Sequence, residues 1–112
     1  MFDVIIIGGS VAGSFCAIKC AEKSLETLVI EKDVFPREKP CGGGLTFKAL
    51  KTIGGIPREI VENKVYALKL FNSKGESIEL RSKDLLCISL FRSKLDSFLL
   101  NRAVDSGVKV LE

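Results

Sequence analysis

The feature that most constrains this chain is a β-branched run, Asp3–Ile7, leading directly into Gly8-Gly9-Ser10-Val11-Ala12-Gly13. A continuous apolar run of this kind predicts a strand buried on both faces in a parallel sheet. Glycines at its end predict a sharp turn into a helix, which brings backbone N–H groups and a positive helix end onto an anion. The spacing is that of the dinucleotide fingerprint Gly-x-Gly-x-x-Gly. There the first glycine makes the turn, the second lets the phosphate approach, and the third lets helix and strand pack closely. The first and third are present as Gly8 and Gly13, while Ser10 stands at the second. Serine crowds the point of closest approach, and its hydroxyl could itself meet a phosphate oxygen.

The following residues complete a βαβ unit. Val11–Lys23 carries Ala12, Phe15, Cys16, Ile18 and Ala21 at helical spacing. Thr27–Glu31 is a second short strand ending in an acid, about twenty residues past the turn, where a carboxylate holds the ribose of an adenosine half. Lys32–Leu45, with Pro36, Pro40 and three successive glycines, reads as a loop. Thr46–Ile53 reads as a short helix with Thr46 as N-cap and Gly54–Gly55 as the stop. Pro57–Val61 adds a helical turn. Lys64–Asn72 and Glu76–Arg81 flank Ser73-Lys74-Gly75 as a β-hairpin, and Leu85–Phe91 is a further strand. Ser93–Ser106 is an amphipathic helix with Leu95, Phe98, Leu99, Ala103 and Val104 on one side, closed by Gly107, before a last strand at Val108–Leu111.

The fold class expected is therefore α/β, Rossmann-like, with parallel strands near 3–7, 27–31 and 108–111 and an inserted hairpin region. The whole reads as one incomplete domain, 1–112, in which residues of about 46–91 belong to a substrate-domain insertion. Its open sheet edge would suit self-association or a complementing chain.

Composition narrows the function classes. The net charge of +3 is mild and interspersed, which leaves no nucleic-acid footprint. No apolar run approaches the roughly 18–20 residues of a spanning helix. The start lacks the basic flank of a signal peptide, so the reading is cytoplasmic, with peripheral membrane contact left open. The four cysteines, Cys16, Cys20, Cys41 and Cys87, form no Cys-x-x-Cys pair, and histidine is absent, so no metal site is expected. Cys16 and Cys20 read as small buried helix residues.

Taken in order, Asp3–Gly13, Glu31, Phe35-Pro-Arg37 and Lys39-Pro-Cys-Gly-Gly-Gly44 resemble the N-terminal portion of the geranylgeranyl reductase family of FAD-dependent oxidoreductases, related to p-hydroxybenzoate hydroxylase. Arg92, with Leu95-Asp96 and Leu99 behind it, is similar to that superfamily's Arg-x-x-Leu/Phe-Asp-x-x-Leu segment. The resemblance implies FAD as cofactor and an isoprenoid lipid as substrate: geranylgeranyl chains of ether lipids, or a chlorophyll or tocopherol precursor. The electron donor is not implied. It also implies that Gly8, Ser10 and Gly13 line the pyrophosphate, that Glu31 holds the adenosine ribose, that Arg37 and Arg92 reach the phosphate–ribose region, and that Gly9, Val11, Ala12 and Lys32 belong to the same cofactor site. Cys41, Gly42 and Gly43 would pass close to the flavin ring. Double-bond reduction needs a proton for the second carbon, and Cys41 is a candidate donor or positioning thiol. Arg92 at a helix start opposes the helix dipole, which hints at an anion to bind. The superfamily's downstream Gly-Asp segment has no match here. Two alternatives stay open: a non-catalytic nucleotide-binding or interaction fragment, and an FAD-dependent monooxygenase of the same superfamily.

Overall fold

The computed structural model describes all residues from Met1 to Glu112. In chain order the elements are β1 (Val4–Ile7), α1 (Val11–Glu22), β2 (Thr27–Ile30), β3 (Gly44–Thr46), α2 (Phe47–Ile53), a 3-10 turn (Arg58–Ile60), β4 (Asn63–Val65), β5 (Ala67–Phe71), β6 (Ser77–Arg81), β7 (Cys87–Ser89), α3 (Arg92–Asp105) and β8 (Lys109–Leu111). They fall into two compact units, one formed by Met1–Cys41 with Arg92–Glu112, the other by Gly42–Phe91.

The first unit is α/β. Its sheet has the order β1-β2-β8 with both pairings parallel, so Ile6, Val29 and Val110 lie abreast. These three face α1 and α3, and the core between sheet and helices is Ala17, Ile18, Val29, Leu100, Ala103 and Val108. The alternate residues point the other way. Ile5 is 56% exposed and Ile7 78%, so β1 is not buried on both faces as its composition suggested. The physical reason is that α1 and α3 pack against each other and cover the same side of the sheet within this unit.

Helix boundaries follow local chemistry. In α1 the buried stripe is Ser14, Ala17 and Ile18, and Cys16 is exposed rather than buried. In α3 the buried stripe is Leu95, Asp96, Leu99, Leu100 and Ala103. Val104, expected on that face, is 47% exposed, and Leu100 takes its place. Gly107 ends the region with φ +97°, a conformation in which Cβ would be strained.

The second unit holds a three-stranded antiparallel sheet of order β3-β7-β4 and the separate hairpin β5–β6. Residues 44 and 45, expected to be loop, form β3 together with the N-cap residue Thr46. The first hairpin arm is shorter than its pattern implied, because Asn63–Val65 leaves to pair with β7 as a strand of its own. The α2 reading holds in detail: the Thr46 hydroxyl accepts the Ala49 N–H at 3.2 Å, and Gly54 closes the helix in the left-handed region at φ 82°. Gly43 has φ +68°, and a Cβ there would overlap the Leu90 carbonyl, whose own N–H donates to the Gly43 carbonyl at 3.0 Å. Gly42 has open space around it. Replacing Gly43 by alanine should therefore cost more than about 1 kcal/mol, while the same change at Gly42 should be nearly neutral. Urea denaturation of the two variants checks this, and equal midpoints would refute it.

Candidate functional site

The site grows from the β1–α1 turn. Gly8 sits at φ +100°, which only glycine adopts without strain. A Cβ built on Gly13 would overlap the Gly8 carbonyl oxygen and come within 3.3 Å of the Ile6 side chain. The third glycine of the fingerprint thus does what its position predicts: it lets α1 start directly against the end of β1. Ser10 is the N-cap residue by backbone conformation, yet its side chain makes no capping bond. The first-turn N–H groups of α1 have no intrahelical partners and no side-chain cap, which is the arrangement a phosphate oxygen requires.

Glu31 lies one residue past β2 and is only 6% exposed. Its Oε2 accepts the Gly9 N–H at 2.6 Å, and its Oε1 accepts the Asp33 N–H at 3.1 Å. Burial pushes this carboxyl up, but the backbone donors of Gly9, Asp33 and Lys32, with the Arg37 charge, outweigh burial and hold it below the usual carboxylate range. Glu31 therefore ties the end of β2 to the turn after β1. Gly9 is tightly enclosed, since a Cβ there would lie 3.2–3.4 Å from Leu100, Val29 and Glu31 atoms.

Beside the turn lies a cluster that the sequence reading only touched. Asp96, 1% exposed, stands on the buried face of α3 between Leu95 and Leu99. Its Oδ1 accepts Arg92 Nε at 2.7 Å, and its Oδ2 accepts Arg92 Nη2 at 3.1 Å and Ser10 Oγ at 3.0 Å. Arg37 Nη1 approaches the same Oδ2 to 2.8 Å as an ion pair. That nitrogen is buried and its N–H directions find no aligned acceptor. Burial alone would raise the Asp96 carboxyl; Arg92, the Arg37 guanidinium and the Ser10 hydroxyl together hold it below the usual range, and the Asp96 hydrogen bond raises Arg92 in return. The anion that Arg92 meets at its helix start is thus Asp96, one turn on. Ser10 Oγ also receives Arg92 Nη2 at 2.8 Å. Because arginine only donates and carboxylate only accepts, the serine proton is committed to Asp96 rather than left for a phosphate oxygen.

Cys41 is exposed and hydrogen-bonds the Arg92 guanidinium; none of the four cysteines is in a disulfide. Gly42 and Gly43 belong to the second unit. A hollow of about 520 Å³ is lined by Gly8, Ser10, Glu31, Lys32, Arg37 and Lys39 among others. Of the site residues read from the sequence it brings together Gly8, Ser10, Glu31, Lys32 and Arg37. No group of three or more cysteine, aspartate or glutamate side chains is placed to hold a metal ion.

The residues present fit a dinucleotide on structural grounds alone. A helix start without a side-chain cap, two flanking guanidiniums with one buried N–H lacking an aligned acceptor, and a turn too close for any Cβ at position 13 are complementary to a diphosphate. Two side chains received no site role from the sequence. Asp96 appears there only within the Arg92–Leu99 segment, and its i,i+4 spacing to Arg92 and its place inside an apolar stripe could have singled it out. Ser14, fully buried, donates to the Gly9 carbonyl at 2.7 Å, and nothing in its local sequence signals that role.

Comparison with known proteins matches residues 3–71 to the FAD binding domain model. A digeranylgeranylglycerophospholipid reductase of Methanothermobacter thermautotrophicus is 30% identical over 112 residues, covering 98% of this chain and 29% of that protein. A 1H-pyrrole-2-carbonyl-[peptidyl-carrier protein] brominase of Pseudoalteromonas luteoviolacea is 58% identical over 117 residues, covering 96% of this chain and 28% of that protein. The crystal structure of a geranylgeranyl bacteriochlorophyll reductase-like protein from Thermoplasma acidophilum superposes with a TM-score of 0.89 at 29% identity, over 97% of this chain and 29% of that one. The chain spans less than a third of the length of the relatives it matches.

The pairing of Glu31 with the Gly9 N–H has a measurable consequence. A carboxyl held below its ordinary value contributes stability that is fully present above the unfolded-state value, about 4.3. That contribution is lost as pH falls through the lower folded-state value. Replacing Glu31 by glutamine should cost about 1–3 kcal/mol at neutral pH and flatten the loss of stability below about pH 4. Melting curves across that range check it; parallel pH profiles for wild type and variant would exclude the pairing.

Proposed function

The chain belongs to the FAD-binding domain family, with FAD as its cofactor, and from that premise we propose that it is the dinucleotide-binding part of a geranylgeranyl-reductase-like oxidoreductase acting on isoprenoid double bonds. The observation that carries this reading is the joining of an uncapped α1 start, an arginine pair and the acid Glu31 around one turn. In this reading the Gly8–Gly13 turn, with the N–H groups of Val11, Ala12 and Gly13, binds the diphosphate. Glu31 and Lys32 meet the adenosine ribose, and Arg37 and Arg92 neutralise phosphate charge. The reductase reading is supported by the Thermoplasma structure and the Methanothermobacter relative, and the lipid substrate is inferred from the latter's name.

Reduced FAD, when bound, supplies the hydride for a carbon–carbon double bond. A hydride delivered to one carbon requires a proton at the other, and the chain has no histidine to carry it. Cys41 bears an exchangeable proton beside the Arg92 guanidinium. A guanidinium favours thiolate over thiol, so the pair suits orientation and controlled release of a proton better than free donation. No helix is long and apolar enough to cross a membrane. The proposed setting is cytoplasmic, with the lipid reached at a membrane surface and the open outer edge of β1 available to a complementing strand.

A second reading, an oxygen-using FAD enzyme, is favoured by the brominase similarity. The two separate in one assay. Photoreduced flavin on the protein should be consumed anaerobically by a geranylgeranyl lipid if the chain serves a reductase; consumption only when oxygen is admitted would favour the second reading. The FAD premise has its own check, because every proposed contact lies on the adenosine–diphosphate half. Fluorescence titration should show FAD binding at least about tenfold tighter than FMN, with ADP competing. Equal affinity for FMN would remove the proposed site. Cys41→Ser should slow substrate reduction and leave FAD affinity unchanged, whereas lost FAD binding would make the thiol structural.

A further inference from the structure

We infer that Asp96 is the positioning residue of the anion site, a single buried carboxylate that holds Arg37, Arg92 and the Ser10 hydroxyl as one clasp beside the start of α1. The inference rests on the reading above that the diphosphate of FAD docks there, and it adds a residue with no direct role in that reading. Asp96 is otherwise unexplained: a carboxylate 1% exposed in the middle of an apolar helix stripe is costly to bury. Its two oxygens take three hydrogen bonds and one ion pair from three separate segments of the chain. Arg92 comes from its own helix, Arg37 from the loop after β2, and Ser10 from the β1–α1 turn. An i,i+4 pair with Arg92 alone would be an ordinary helix contact. The second arginine and the serine make it a junction.

Both guanidiniums converge on Ser10 as well, Arg92 Nη2 at 2.8 Å and Arg37 Nη2 at 3.4 Å. Two like charges that close together separate unless a counter-ion sits between them. Asp33 touches Arg37 Nε at 3.8 Å, but its side chain is 43% exposed and well screened, so it cannot serve. Asp96 holds the pair together in advance of any ligand. Each arginine carries considerable rotamer entropy, and fixing both beforehand spares the ligand that cost. Loss of the carboxylate would raise the local positive potential, which alone favours an anion. It would also release two long side chains into solvent, and the loss of placement outweighs the gain, because bidentate guanidinium recognition depends on geometry. Ser10 then has a role at the fingerprint's second position that glycine could not fill: it anchors the clasp to the turn.

The test is a double-mutant cycle on FAD affinity. Asp96→Asn should weaken FAD at least about tenfold in the wild-type background. In a background carrying Arg37→Ala, Arg92→Ala and Ser10→Gly it should change affinity no further, because Asp96 acts only through those side chains. An equal loss in both backgrounds, or FAD affinity unchanged or improved by Asp96→Asn, overturns the inference. Should Asp96→Asn fail to fold, Arg37→Lys with Arg92→Lys keeps the charge and removes the fork. The clasp requires weaker FAD binding in that variant, and undiminished affinity overturns it. A wild-type chain that binds no FAD would refute the proposed function instead. The clasp is then read by NMR of the ligand-free protein: the Arg92 Nε–H should be protected from exchange in wild type and unprotected in Asp96→Asn. An unprotected wild-type signal refutes the clasp on its own.

Discussion

The approach of α1 to the end of β1 governs the first unit. With no Cβ at position 13, the first turn of the helix rests against the Gly8 carbonyl, and the helix axis is fixed relative to the sheet from its first residues. Ala17 and Ile18 can then reach Val29 on the central strand, and α3 can close over the same face through Leu100 and Ala103. A larger residue at position 13 would lift the helix start and open the core behind it. The same contact sets the chemistry, since it aims the free N–H groups of the helix past the turn rather than into the sheet.

Two carboxylates complete the turn, and in both the balance between burial and hydrogen bonding decides the charge. Glu31 and Asp96 are 6% and 1% exposed, so desolvation works against ionisation in each. In each the donors prevail, backbone N–H groups for Glu31 and mainly guanidiniums for Asp96. The difference in donor type matters. Backbone amides are fixed by the fold, so Glu31 is a strut between β1 and β2. Guanidiniums are mobile side chains, so Asp96 restrains groups that would otherwise move. One acid stabilises the frame, and the other arranges what the frame presents.

Much of this was legible in the sequence because it depends on contacts between near neighbours. The βαβ unit follows from the residue pattern along the chain, and the role of Gly13, the Thr46 cap and the Gly54 stop from contacts between residues no more than five apart. The burial of β1 was misread because alternation cannot be seen in a run where every residue is β-branched. Ile5 and Ile7 look like Ile6 in sequence and differ only in which side of the sheet the helices cover. The strand Gly44–Thr46 was hidden in glycines, because its partner, Cys87–Ser89, lies forty residues on. The junction at Asp96 needed three segments brought together from positions 10, 37 and 92–96, and no local spacing encodes that meeting.

Ser10 shows how a departure from a fingerprint can carry information. Serine at the second glycine position reads at first as a weaker match, since it adds atoms where phosphate approaches. Its hydroxyl does not project toward an open phosphate site; it turns to Asp96 and receives Arg92. The added oxygen is thereby absorbed into a network that also contains both arginines. A substitution that costs space at the turn is offset by one that organises charge beside it, so the fingerprint is better read as a set of physical tasks than as a set of letters. Glycine at position 13 is irreplaceable because its task is absence of a side chain. Position 10 admits serine because a neighbouring acid and two cations give the hydroxyl somewhere to go.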